Sequence, residues 1–194
     1  MAQQRQTKTE AKIRAALTKL IRERGIEGVT ASAVAREAGI NRGTFYAHYT
    51  DKIDLMAKQV DAVMEDFSRI LLAEDEDAGT AEDLIPRANV LKALRYAREN
   101  LDFISALTGG GRDARLQERF KEVLGRLLER EAARWPEYTL SYRGLPHDYG
   151  REMLLSGVTS IIWLWVRKGC AEEPEQICEF IFMNKDLSPA ELLS

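Results

Sequence analysis

The stretch TASAVAREAGINRGTFYAHYTDKIDL, residues 30–55, decides the fold. Ala35 and Ala38 carry side chains small enough for two short helices to cross closely. Gly39 permits the positive φ of a tight turn between them. Ile40 plugs a small core from that turn, and Asn41 is a capping residue for the segment that follows. Phe45 and Tyr49, four apart, share the inward face of that segment. Arg42, Gly43, Thr44, Tyr46 and His48 are left pointing outward. The spacing predicts a helix from Thr30 or Ser32 to about Ala38, a turn at Gly39 to Asn41, and a second helix over Arg42 to Tyr49. That arrangement is a helix-turn-helix.

An outward face bearing Arg, Thr, Tyr and His with no carboxylate suits a DNA groove. Arg42 has the donors for guanine O6/N7 or for phosphate. Tyr46 and His48 suit phosphate oxygens, and Thr44 offers a methyl to thymine. Gly43 lets the helix start approach a duplex closely. Lys52 falls in the first turn of the next helix, where unpaired N–H groups already favour an anion. A cation there opposes the helix dipole but serves a phosphate docked between the two.

Upstream, Ile13, Ala16, Leu17, Leu20 and Ile21 form one apolar stripe over Thr7 to Arg24, the pattern of an amphipathic helix. Thr7 and Glu10 have capping-box spacing, and Gly25 supplies a stop. Downstream, a fourth helix runs from Thr50 or Asp51 to about Leu72, and Glu74 to Gly79 reads as a solvated loop. Further helical stretches fall at about 81–106, 112–134, 147–169 and 174–184. Breaks at Gly109 to Gly111, Pro136 through Pro146 and Ala171 to Pro174 separate them. The expectation is an all-α protein. A basic helix-turn-helix head occupies residues 1–50 and a helical body 51–194, with 51–72 as the connecting helix.

Charge supports that division. Residues 1–60 hold 11 Lys and Arg against 6 Asp and Glu, whereas 61–194 hold 17 against 25, within a net charge of -3. A basic head on an acidic body implies that only the head meets a polyanion. The 194 residues are 45% hydrophobic and 30% charged, which excludes a disordered or fibrous chain. Met1 to Glu10 is polar and makes no secretory signal. The longest uncharged run, Met153 to Val166, is too short for a bilayer span. A soluble, cytoplasmic protein with no membrane partner is expected.

The run Gly39-Ile40-Asn41-Arg42-Gly43-Thr44-Phe45-Tyr46-Ala47-His48-Tyr49, followed by Lys52 and Leu55, resembles the signature of the tetracycline-repressor (TetR/AcrR) family of bacterial transcription regulators. The preceding helix and the Gly25…Gly28-Val29-Thr30 connection fit as well. Tyr49 stands where Phe is usual, and Ala47 is smaller than the residue often found there. The resemblance implies DNA contacts from Ala31 or Ser32, Arg42, Gly43, Thr44, Tyr46, His48 and Lys52. It also implies a homodimer on a palindromic operator, with a body that binds a small-molecule effector. Repression is the family's commoner outcome, and activation is the alternative.

The resemblance fades after about residue 60. Residues 147–169 are apolar nearly all round, so they need cover on several sides, and a partner subunit is one source. By analogy with the family, the last two helices pair with their two-fold mates. Val158, Ile161, Ile162, Trp165, Ile177, Phe180 and Ile181 are the candidate interface, with Asn184 on the same face. Candidate cavity liners are Tyr96, Phe103, Leu107, Phe120 and Trp163, suiting an apolar or aromatic effector.

An enzyme is poorly supplied. The chain has two histidines, two cysteines, and no nucleophile-elbow, zinc-protease or dinucleotide pattern. The glycine run at 109–111 lacks the Lys-Ser/Thr of a phosphate loop. Cys170 and Cys178 are eight apart across a break, which is not a zinc-ligand spacing, and read as buried inert thiols. No catalytic residue, metal or cofactor is expected. A helical protein–protein adaptor, the remaining alternative, predicts no salt-dependent DNA affinity.

Overall fold

The computed structural model describes residues 2–73, 86–109, 114–133 and 145–183. Among these it has nine α-helices, a 3-10 turn and no β-strand. The expected acidic loop at 74–79, the expected helix start at 81, Gly110, Gly111, most of the break from Pro136 and Asn184 lie outside the described residues.

The chain divides into two compact units, residues 1–63 with 102–110 and residues 64–101 with 111–194. In the first, α1 (Ala2–Arg24) buries Ile13, Ala16, Leu17 and Leu20, as its stripe predicts. Thr7 lies within α1 and not at its start, so it does not cap this helix. The Ala, Gln and Arg residues ahead of it are good helix formers and continue the helix upstream. After the turn Ile26–Gly28 come α2 (Ala31–Glu37) and α3 (Arg42–His48).

Both short helices begin on a side-chain cap. The Thr30 hydroxyl accepts from the Ala33 N–H at 3.1 Å, and Asn41 Oδ1 accepts from the Thr44 N–H at 2.6 Å. Gly39, at φ 64°, makes the turn, and the Ile40 N–H reaches back to the Ala35 carbonyl at 3.0 Å. Helix α4 (Lys52–Leu71) opens on Asp51, whose Oδ1 accepts from the Asp54 N–H at 2.8 Å.

The expected helix at 81–106 is two helices, α5 (Arg87–Glu99) and α6 (Leu101–Leu107). The break falls at Asn100, whose side-chain amide donates to the Tyr96 carbonyl at 2.9 Å. An Asn that bonds its own preceding turn competes with helix continuation. Helix α6 belongs to the first unit, where the Arg14 guanidinium stands 3.9 Å above the Phe103 ring.

The second unit comprises the later part of α4 with α5, α7 (Ala114–Ala133), α8 (His147–Arg167) and α9 (Pro174–Met183). Helix α7 packs on α8, and α9 packs on both α5 and α8. Gly125 marks the closest approach of α7 to α8, since a Cβ there would strike the Arg151 guanidinium. An edge-to-face aromatic series runs through the interior. Tyr96 meets Phe67 with ring centroids 5.2 Å apart, Phe67 meets Phe120 at 5.2 Å, and Phe120 meets Trp163 at 5.7 Å. No described helix is long and apolar enough to cross a membrane.

Candidate nucleic-acid interface and body cavity

Helix α3 is fastened at three places, and its free face follows from them. Phe45 and Tyr49 point into the head core and are almost completely buried. At the N-terminus, Asn41 Oδ1 also accepts from the Thr44 hydroxyl at 3.0 Å, which turns that hydroxyl away from any partner outside. At the C-terminus, Lys58 Nζ donates to the His48 carbonyl and to Asp54 Oδ2, both at 3.0 Å, and stands 5.5 Å from the Tyr49 ring. A cation on the last carbonyls of a helix is favoured by the helix dipole. Lys58 is a positioning residue that sequence reasoning missed, although the Asp54 to Lys58 spacing of four carried the signal.

The outward residues are those the motif implies. Arg42, Gly43, Tyr46 and Ser32 are exposed, while Ala31, Thr44, His48 and Lys52 are half-buried. Tyr46 keeps 49% of its surface, and the Arg42 guanidinium lies 5.9 Å from its ring. Lys52 Nζ leans on the Ile26 carbonyl at 3.4 Å, a long contact that a phosphate could displace. The Tyr49 hydroxyl finds a partner in Gln59, whose amide donates to it at 3.2 Å in a buried setting. Burial raises the Tyr49 phenol's pKa above its ordinary value. The backbone N–H of Thr50, and then Lys58, lower that of the Asp54 carboxyl.

In the body, a cavity of about 90 Å³ lies among α4, α5, α7, α8 and α9. Of the expected liners, Phe120 is in its wall. Tyr96 and Trp163 stand one ring behind the wall, against Phe67 and Phe120. Phe103 and Leu107 do not line it. They are buried in the first unit, because the break at Asn100 assigns α6 there. The liners that sequence reading missed, such as Phe67, Leu71, Ala93 and Ala97, look like ordinary core positions, and only the packing reveals the space beside them.

The candidate pairing residues also separate. Trp165, Ile162, Ile177 and Ile181 are buried within their own chain, and the Trp165 indole donates to the Glu172 carbonyl at 2.9 Å. Val158 and Ile161 are half-buried, and Phe180 is exposed. On the last two helices the large apolar side chains left in the open are Tyr149, Met153 and Leu164 of α8 and Phe180 and Met183 of α9. Cys170 and Cys178 are buried, and desolvation pushes the Cys170 thiol up to about 11. Among the described residues no group of His, Cys, Asp or Glu could hold a metal.

A capped two-helix turn with a cationic, aromatic outer face, followed by a larger helical body, defines a helix-turn-helix regulator. Comparison with known proteins agrees. Residues 13–58 match the family model for bacterial regulatory proteins of the tetR family, and residues 86–184 match that for a transcriptional regulator C-terminal region. The second match alone takes in just over half of the chain, and the chain belongs to the TetR family of transcriptional regulators, which are not enzymes. The uncharacterized HTH-type transcriptional regulator YxbF of Bacillus subtilis (strain 168) is 24% identical over 174 residues, 89% of this chain. That match spans only 43% of YxbF, so the chain is less than half the length of this relative. Among solved structures, the fatty acid degradation regulator FadR from Bacillus halodurans is 19% identical with a TM-score of 0.69, covering 90% of this chain and 93% of that one. FadR from Bacillus subtilis, solved in complex with stearoyl-CoA, is 17% identical with a TM-score of 0.58 over 91% and 97%. These likenesses carry the fold.

Proposed function

We propose that the chain is a homodimeric repressor that leaves a palindromic operator when a small apolar effector fills the body cavity. The observation that carries this reading is the outward face of α3. It presents Arg42, Tyr46 and His48 with no carboxylate between Arg42 and Thr50, on a helix capped at both ends. In this reading residues 1–50 recognise DNA in the cytoplasm, and residues 51–194 sense the effector and pair the subunits, with 51–72 joining them. Arg42 and Thr44 meet base edges, and Ala31, Ser32, Gly43, Tyr46, His48 and Lys52 lie against the backbone.

Pairing is supported by the exposed stripe of Tyr149, Met153 and Leu164, with Phe180 and Met183 beside it. Five large apolar side chains left in water on two adjacent helices are costly unless another surface covers them. A two-fold interface sets two copies of α3 about 34–36 Å apart, one turn of duplex. Helix α4 supplies Phe67 and Leu71 to the cavity and Lys52 and Leu55 to the head. A ligand that repacks Phe67 and Leu71 acts on the same helix that carries Lys52. Only one spacing of the heads is well bound, so affinity falls.

Selection of bound sequences from random duplex DNA, combined with sedimentation of the purified protein, tests this. A symmetric motif and twice the 22.0 kDa chain mass are expected. A single-subunit mass, or recovery of no preferred sequence at low salt, would refute it.

A further inference from the structure

The wall of the body cavity consists of fifteen residues, and every side chain is hydrocarbon: three phenylalanines, with alanine, valine, leucine and isoleucine making up the rest. Two unpartnered polar atoms are buried nearby, Asn89 Oδ1 and Trp163 Nε1, but neither residue lines the space. A hydroxyl or carbonyl entering it would lose its water and gain no partner. The wall runs over about two turns of α5 (90 to 97), α7 (120 to 128) and α8 (154 to 162), or about 12 Å at 1.5 Å per residue. On α5 the small residues Ala93 and Ala97 fall four apart, so they leave a furrow along that helix.

The opening can be located. All the lining residues are buried except Leu154, Val158 and Phe182, which are half-buried. Helices α8 and α9 pack together across a short turn, so Phe182, eight past Pro174, falls level with Val158, nine before Arg167. The three residues therefore rim one mouth. Beside it the Arg87 guanidinium lies 4.5 Å from the centre of the Phe182 ring, paired with Glu179 and with 42% of its side chain in solvent. A hydrocarbon furrow thus ends at a half-exposed cation.

The geometry points to one ligand class: an anionic amphiphile whose alkyl chain fills the furrow and whose headgroup stays outside, exchanging with Glu179 at Arg87. This rests on the sensing-cavity reading and narrows it. A free long-chain carboxylate and a thioester of a polyanionic carrier share this chemistry. The wall disfavours hydroxylated aromatic rings, whose polar atoms would be buried without partners.

The test uses the full-length protein, monitored by tryptophan fluorescence and thermal melting. The probes are laurate, lauroyl-coenzyme A, dodecanol and the trihydroxylated aromatic naringenin. Laurate or lauroyl-coenzyme A is expected to bind about tenfold more tightly than dodecanol, as a charge-assisted contact to the Arg87 guanidinium requires; which of the two binds identifies the source. Arg87→Gln should remove that preference and leave dodecanol unchanged. Ala97→Phe fills the furrow and should abolish binding of all alkyl probes; if it fails to fold, Val158→Trp blocks the mouth instead. Naringenin binding in place of the alkyl probes would overturn the inference, as would alkyl binding that survives the furrow-filling or mouth-blocking variant. The neutral probe N-phenyl-1-naphthylamine separates the two claims. If it enters the wild-type cavity while alkyl probes do not, the cavity stands and the ligand class falls; if nothing enters, both fall.

Discussion

In the head, two helices of seven residues each hold their polar side chains out to solvent. In the body, helices of 10 to 21 residues surround an apolar space. A seven-residue helix is too short to persist alone in water. Helices α2 and α3 therefore exist only because Thr30, Asn41 and Lys58 satisfy their ends and Phe45 anchors them. The body's helices share their burial over many leucines, so no single contact decides them. Purpose is written differently in the two regions. The head carries it in which atoms face outward, and the body carries it in which side chains are too small to fill the interior.

The largest expected effect tests that brittleness. Phe45 is fully buried, and Phe45→Ala should cost about 3–5 kcal/mol. Helicity should fall while the fluorescence of Trp163 and Trp165, both in the body, stays in place. Loss of both signals together would break the comparison, because the two units would then unfold as one. Next in size is Arg42→Ala, which should leave helicity and mass intact while giving up ~1–3 kcal/mol of base discrimination. Lys52→Ala should instead weaken all sequences alike and reduce the salt slope by about one. A changed sequence preference in the Lys52 variant would reassign it from phosphate to base.

How much was legible follows the same division. The cap at Asn41, the turn at Gly39, and the inward Phe45 and Tyr49 were readable, because turn chemistry and helical spacing act within a few residues. The break at Asn100 was not, since the apolar pattern continues through it and the Asn100 amide bond to Tyr96 is a local feature that leaves no trace in that pattern. Phe103 and Phe120 are both aromatics on helical faces, and nothing local distinguishes the one under Arg14 from the one in the cavity wall. Trp165 and Leu164 are neighbours with opposite fates, one buried and one in solvent. On a helix apolar nearly all round, periodicity cannot tell the inner face from an outer one.

Tyr49 offers a smaller test inside the head. Tyr49→Phe restores the residue usual in the family but leaves the buried Gln59 amide without its acceptor. The expected cost is about 1 kcal/mol by chemical denaturation. Tyr49→Phe combined with Gln59→Leu should recover most of it. If the single substitution stabilises the protein, the buried hydrogen bond contributes nothing net.

The smallest effect separates the two regions by what holds their carboxylates. On the body's surface, Arg95 donates to Glu175 through Nε at 3.2 Å and Nη2 at 2.6 Å, and Arg98 donates to Glu173 through Nη2 at 2.9 Å. These hydrogen bonds lower the pKa of both carboxyls below the ordinary 4.5. A depressed carboxylate adds stability that is complete above its ordinary value and is lost as pH falls through the lowered one. Both carboxylates are exposed and salt-screened, so the loss on acidification should be slight and should shrink further at high salt. Asp54 in the head is held down first by the Thr50 backbone N–H, a fixed dipole at short range, with Lys58 second. Carboxyl NMR titrations at low and high ionic strength should therefore show Glu173 and Glu175 moving back toward 4.5 while Asp54 stays low. If all three move together, Lys58 governs Asp54, and the end of α3 is fastened by charge, like the body's surface.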